Sequence, residues 1–366
     1  MAAITAGMVK ELRELTGAGV MACKNALVET DGNQEEAIEI LRKKGEATAV
    51  KKAGRIAAEG IVYTVVKDGK AAIVEVNSET DFVAKNEKFQ TFVANVGEQI
   101  IASDAADMDA LMAEPWVLDS SKTVKDELVS QIAVIGENMN IRRFEKIESE
   151  GTIASYIHAG GKIGVLVEAD AQSNEKVNEA IQNIAMQIAA MSPKYVSRND
   201  ISDAELAKMR EITVDSSLND PASLPKPILQ KLIDQAIADK VWSDEDIAIY
   251  EEKKSNMNYL FNFLSKEAPI ALSGLAMNDK EEILANKIFN GLVEGRVSKQ
   301  LKEVCLLDQV YVKAADGKQS VKAYLEQVSK EVGAPVVLKQ FIRFETGEGL
   351  EKKEENFAEE VAAQMK

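Results

Sequence analysis

Ile61-Val62-Tyr63-Thr64-Val65-Val66, followed by Lys67-Asp68-Gly69-Lys70 and Ala71-Ala72-Ile73-Val74-Glu75-Val76, has the sequence of a β-hairpin. β-Branched and apolar residues fill both arms, and Asp68-Gly69 supplies the tight turn. The pattern returns further on as Gly151-Thr152-Ile153-Ala154-Ser155-Tyr156-Ile157-His158, the turn Ala159-Gly160-Gly161-Lys162, and Ile163-Gly164-Val165-Leu166-Val167-Glu168. After each hairpin the period changes to helical. Phe89, Phe92, Val93, Val96 and Ile100 mark the first buried helix face, and residues 174–191 form the second helix. Ile141-Arg142-Arg143-Phe144-Glu145 would return as a strand in the first half, and Phe341-Ile342-Arg343-Phe344-Glu345 echoes it in the second. The expected fold class is α+β, with two related core halves, each a small sheet covered by helices.

Between the first hairpin and its helix lies Thr80-Asp81-Phe82-Val83-Ala84-Lys85-Asn86. Ser78 and Thr80 offer oxygens that can cap an emerging helix. If one helix continues through, Phe82 falls on the face of Phe89, seven residues on, and is ordinary core. If the chain breaks at Asn86, which then caps a second helix, Asp81 and Phe82 stand out as a charged and aromatic finger. An exposed phenylalanine points to a partner. The sequence leaves both readings open.

Residues 1–45 read as three short helices, the first capped by Thr5 and stopped at Gly17, the third opened by Asn33 with Glu36 and stopped at Gly45. Gly17-Ala18-Gly19-Val20-Met21-Ala22 fits the dinucleotide pattern G-x-G-x-x-A, but that site needs a strand in front and here a helix precedes it. The glycines then make an interhelical turn that presents Val20 and Met21 beside Arg13 as a small contact patch. Lys43, Lys44, Lys51, Lys52 and Arg55 give a basic stretch in an Ala- and Gly-rich linker. Pro221, Pro225 and Pro227 interrupt the second half. The expected division is 1–55 for the three-helix module and linker, 56–150 for the first core half, 151–204 with 286–350 for the second, 205–285 for a helical insert, and 351–366 for a C-terminal helix with Phe357 and Val361 on one face.

The chain has 366 residues, 46% of them hydrophobic, and a net charge of −16. That charge argues against general binding to nucleic acid or an anionic membrane. No apolar run is long enough to span a bilayer, and Met1-Ala2-Ala3-Ile4-Thr5 lacks the basic-then-apolar pattern of a secretory signal, so a cytoplasmic location is expected. Cys23 and Cys305 are far apart and read as reduced thiols. No Walker A loop occurs. His158 is the sole histidine, either structural or a polar contact at the tip of the second hairpin. No catalytic site, metal site or cofactor site assembles, so the reading is a binding protein rather than an enzyme.

Together these residues resemble the bacterial elongation factor Ts family. The resemblance rests on Thr16-Gly17-Ala18-Gly19-Val20-Met21, on residues 80–86, on Gly136-Glu137-Asn138 with Ile141-Arg142-Arg143, on Ser155-Tyr156-Ile157-His158 with Gly160-Gly161-Lys162-Ile163-Gly164, on Glu294-Gly295-Arg296, and on residues 341–349. It covers about residues 1–200 and 285–366 and leaves the helical insert outside the pattern.

The resemblance implies a guanine-nucleotide exchange factor for elongation factor Tu in translation elongation. The three-helix module, similar to a ubiquitin-associated domain, would grip the partner's nucleotide-binding domain through Arg13, Val20 and Met21. Thr80, Asp81, Phe82 and Val83 would disturb the partner's magnesium and phosphate loop. The hairpin turn with His158, Gly160 and Gly161 would press beside them, and the C-terminal helix would hold a more distant domain. The factor itself would bind neither nucleotide nor magnesium. A scaffold that binds the GTPase without displacing nucleotide is the alternative, and a homodimer through the C-terminal half is left open.

Overall fold

A computed structural model describes residues 3–351. The fold is α+β, as expected. The chain forms two compact units, one built from residues up to Ser192 together with those from Lys322 onward, the other from Pro193–Val321.

The first unit opens with α1 (Ala6–Thr16), α2 (Val20–Glu29) and α3 (Gln34–Lys52), which bury Leu12, Cys23, Ala26, Leu27 and Ala37 against one another. The Thr5 and Asn33 side chains accept from the backbone N–H groups of Met8 and Glu36, satisfying otherwise orphaned donors. Next come β1 (Glu59–Lys67), β2 (Lys70–Ser78), α4 (Asp81–Ala84) and α5 (Glu87–Ala102). They are followed by α6 (Met108–Ala113), β3 (Pro115–Trp116), β4 (Asp119–Thr123), α7 (Val124–Ile135) and β5 (Met139–Glu148). Then β6 (Thr152–His158), β7 (Ile163–Asp170) and α8 (Glu175–Met191) complete the segment before the second unit.

The second unit is helical, with α9 (Asp203–Leu218), α10 (Lys226–Ala238), α11 (Asp244–Lys253), α12 (Glu267–Asn278), α13 (Lys280–Ala285) and α14 (Lys287–Val304). Leu229, Leu232, Ile233 and Ala236 of α10 bury with Leu272 and Phe289, and the Trp242 indole donates to the Ala268 carbonyl at 3.1 Å. The unit is wider than the insert drawn from sequence. α14 packs on α9 and contributes Phe289, Val293 and Val297 to this core. Of the apolar residues at 257–264, Leu260 is fully buried, whereas Tyr259 and Phe263 are exposed.

The chain returns to the first unit with α15 (Val321–Val332) and β8 (Val337–Glu345). One sheet has the order β1-β2-β5, another β6-β7-β8, all antiparallel. Each carries a bulge beside a buried glutamate in its central strand, at Glu75/Val76 and at Glu168/Ala169. One face of the first sheet packs on α5 and α7 through Ile61, Val74, Phe89, Val93 and Ile100, each large apolar side chain contributing about 1.5–3 kcal/mol. Its other face meets the second sheet through Val62, Ile73, Leu166 and Phe344, and α8 covers the far side at β6 and β7.

Two local expectations need correction. α3 does not stop at Gly45 but runs to Lys52. Gly45 is buried where α3 packs on α7, and a Cβ there would stand 3.5 Å from that of Ala133, an ordinary packing contact, so the glycine sits within the helix rather than ending it. Lys43, Lys44, Lys51 and Lys52 therefore lie on a helix, not a linker. The helix before β5 begins only at Val124, because residues 119–123 form β4, whose hairpin buries Trp116 against Phe92 with ring centroids 6.1 Å apart. The expected C-terminal helix at 351–366 lies outside the described residues apart from Glu351.

Candidate functional site

The finger forms by a break in the helix. Thr80 is the N-cap of α4, its hydroxyl accepting from the Val83 N–H at 3.3 Å, and after Lys85 the Asn86 side chain accepts from Lys88 N–H at 2.9 Å to start α5. Two caps six residues apart leave α4 only one turn long. Ala84 is buried and Val83 packs on the α5 core, but Phe82 points outward and is 81% exposed. The open question of Phe82 is settled: it is not core.

The base of the finger is held by the turn between α7 and β5. After α7, Gly136 caps in the left-handed region, and Glu137 and Asn138 follow. Glu137 Oε2 accepts from the Thr80 backbone N–H at 3.0 Å, and its Oε1 accepts from the Thr80 hydroxyl at 2.7 Å. In the reverse direction, Glu79 Oε1 accepts from the Asn138 backbone N–H at 2.6 Å, while Asn138 Nδ2 donates to the Arg55 carbonyl at 2.8 Å. Charge-assisted hydrogen bonds of this kind are the stronger ones.

Asp81 is partly exposed and pairs with Lys85 at 2.6 Å. That hydrogen bond, with the fields of Lys85 and Lys162 added, holds its carboxyl below the usual aspartate range. Asp81 is therefore ionised at neutral pH.

The second hairpin's turn lies beside the finger, since its Lys162 reaches Glu59, the register partner of Ser78 two residues before Thr80. Lys162 pairs with Glu59 at the start of β1. His158 ends β6, exposed, with its Nδ1 3.0 Å from the Tyr156 hydroxyl. Gly160 is exposed. Gly161 is buried at φ +100°, and a Cβ there would stand 2.7 Å from the Ile61 Cβ, so the turn lies against β1 as only glycine allows. Its carbonyl accepts from Val62 N–H at 2.7 Å.

Thr80, Asp81, Phe82 and Val83 thus share one end of the core with the turn of His158, Gly160 and Gly161. Arg13, Val20 and Met21 do not join them. They lie on the three-helix module, which packs on α7 through α3, with Val20 51% and Met21 64% exposed. Among the described residues no group of histidine, cysteine and carboxylate side chains is placed to hold a metal ion, and no helix is long and apolar enough to cross a membrane.

Residues 79–253 and 255–348 match the family model described as Elongation factor TS. The chain belongs to the elongation factor Ts family. It is thereby a translation elongation factor. Elongation factor Ts of Clostridium novyi (strain NT) is 43% identical over 366 residues, covering 99% of each chain. Elongation factor Ts of Clostridium perfringens (strain SM101 / Type A) is 43% identical over 363 residues and 98% of each. Elongation factor Ts of Clostridioides difficile (strain 630) is 41% identical over 369 residues and the whole of both. The matched residues include most of the helical segment at 205–285, and the relatives align over its whole length.

Proposed function

We propose that this chain is a guanine-nucleotide exchange factor for elongation factor Tu, acting in the cytoplasm without covalent chemistry and promoting GDP release so that GTP can bind. The observation that carries this reading is Phe82, a large apolar ring left in solvent on a single helical turn whose base is fastened by Glu137. A ring so exposed on a rigid mount suits insertion into a partner.

In this reading Arg13, Val20 and Met21 grip the nucleotide-binding domain of elongation factor Tu. Asp81 and Phe82, carried by Thr80 and Val83, enter near its bound magnesium. Asp81 brings an ionised carboxylate to a place where a cation neutralises phosphates, and Phe82 displaces the surrounding side chains. The turn of His158, Gly160 and Gly161 presses alongside.

Exchange requires that factor and nucleotide each weaken the other's hold on the partner, and linkage makes the weakening mutual. A thousandfold weakening corresponds to about 4 kcal/mol. Burial of one phenylalanine contributes about 1.5–3 kcal/mol, so the finger needs binding energy from the other contacts. A separate patch on the three-helix module supports that division of labour. The test is stopped-flow release of a fluorescent GDP from elongation factor Tu. Strong acceleration by this chain is expected, and binding without acceleration would replace the reading with that of a scaffold.

A further inference from the structure

The turn bearing His158 is not held against the finger by its own strands alone. It is also fastened by a short segment from the far end of the chain. Thr346, just after β8, donates its backbone N–H to the Lys162 carbonyl at 2.9 Å and its buried hydroxyl to the Gly161 carbonyl at 3.0 Å. The next residue, Gly347, donates its N–H to Oε1 of Glu75 at 2.7 Å. Glu75 is fully buried in β2, the strand that runs directly into the finger, and it is gripped by Arg143 at 2.6 Å and Arg142 at 3.0 Å. Gly347 lies at φ +73°, and a Cβ there would stand 2.2 Å from the carbonyl oxygen of Ala58, the residue before β1, so the two backbones pass too close for any side chain.

We propose that Thr346 and Gly347 are positioning residues for exchange: a clasp that ties the His158 turn to the strand carrying Phe82, so that both reach the partner in one geometry. Between them the two adjacent residues reach both sides of the site. Thr346 holds the turn from the second sheet, and Gly347 holds the carboxylate from the first. Without the clasp the turn keeps its Val62 contact through the Gly161 carbonyl but loses the side-chain bond that fixes its tilt. The proposal rests on the exchange reading above.

The test uses the full chain in the fluorescent-GDP assay at saturating factor. Thr346→Val preserves shape and removes only the hydroxyl, and Thr346→Ser restores it. Thr346→Val should slow maximal release roughly two- to tenfold, the span expected for one buried hydrogen bond. Thr346→Ser should release at the native rate. If Thr346 acts through the turn, Thr346→Val should cost little more once His158→Ala has removed the side chain being placed. A native rate for Thr346→Val, an equal further loss in the His158→Ala background, or no effect of His158→Ala itself would each overturn the proposal. Amide hydrogen exchange supplies a readout independent of activity: Thr346→Val should raise exchange across residues 158–164 and leave α5 unchanged. If the native chain does not accelerate release, the exchange reading falls by itself. The clasp as a structural device then stands or falls on this second measurement, and unchanged exchange at 158–164 would overturn it.

Discussion

Glu137 closes both carboxylate oxygens on a single residue, Thr80, one on its backbone N–H at 3.0 Å and one on its hydroxyl at 2.7 Å. Thr80 in turn caps the turn that carries Phe82. The exposed ring is therefore mounted on a charge-assisted anchor rather than on a loop.

Glu137→Gln keeps one acceptor and sets an amide donor against a donor. Hydrogen bonds to a charged acceptor contribute about 1.5–3 kcal/mol, so amide exchange across residues 80–86 should quicken roughly tenfold or more. Mass-spectrometric hydrogen exchange reads this directly. Native protection in the variant would show that the anchor is not Glu137.

Glu75 gives a pH dependence with a definite sign. Burial would raise its carboxyl, but hydrogen bonds from the Gly347 N–H, Asn77, Arg142 and Arg143 outweigh it and hold it below the usual glutamate range. A group depressed in the folded state stabilises above its unfolded pKa, about 4.3, and loses that contribution as pH falls through the folded value. Glu75→Gln should cost about 3 kcal/mol at pH 7 by leaving two arginines without their carboxylate. Below about pH 5 its midpoint temperature should fall less steeply than that of the native chain, since this carboxyl no longer titrates. Parallel acid limbs in thermal unfolding would contradict the assignment.

Gly161→Ala adds a methyl group 2.7 Å from the Ile61 Cβ at φ +100°. Strain at such a position is of order 1–3 kcal/mol before the clash is counted. Denaturant titration should show a loss of at least about 1 kcal/mol. An unchanged midpoint would mean the turn does not rest on β1.

Met21→Ala removes an exposed side chain, so stability should stay within about 0.5 kcal/mol of native. Binding to elongation factor Tu should weaken by about 1 kcal/mol, roughly fivefold, if Met21 belongs to the grip. Calorimetry of native and variant chains decides it, and equal affinities would remove Met21 from the interface.

What the sequence disclosed and what it hid follow from the range of the forces involved. The apolar face of α5 and the caps at Thr80 and Asn86 are local patterns, and they sufficed to place the finger outside the core once the helix break was observed. Glu137 was hidden because its partner lies 57 residues away and nothing in Gly136-Glu137-Asn138 names Thr80. Gly45 reads as a stop because glycine commonly ends a helix, and only the packing of α3 on α7 shows that the helix continues through it. The β3–β4 hairpin was missed because its strands are short and polar, held by one buried tryptophan. The reach of the helical unit to residues 193–321 depends on α14 packing against α9, a tertiary fact without local signature.

The most direct measurement is stopped-flow release of fluorescent GDP from elongation factor Tu by the native chain and by Phe82→Ala. Because Phe82 is 81% exposed, the variant should fold with native stability. The account predicts that it still binds the partner but accelerates release at least about tenfold less, the loss expected from a buried phenylalanine contributing about 1.5–3 kcal/mol. Equal acceleration by both chains would contradict it and move the displacing contact away from Phe82.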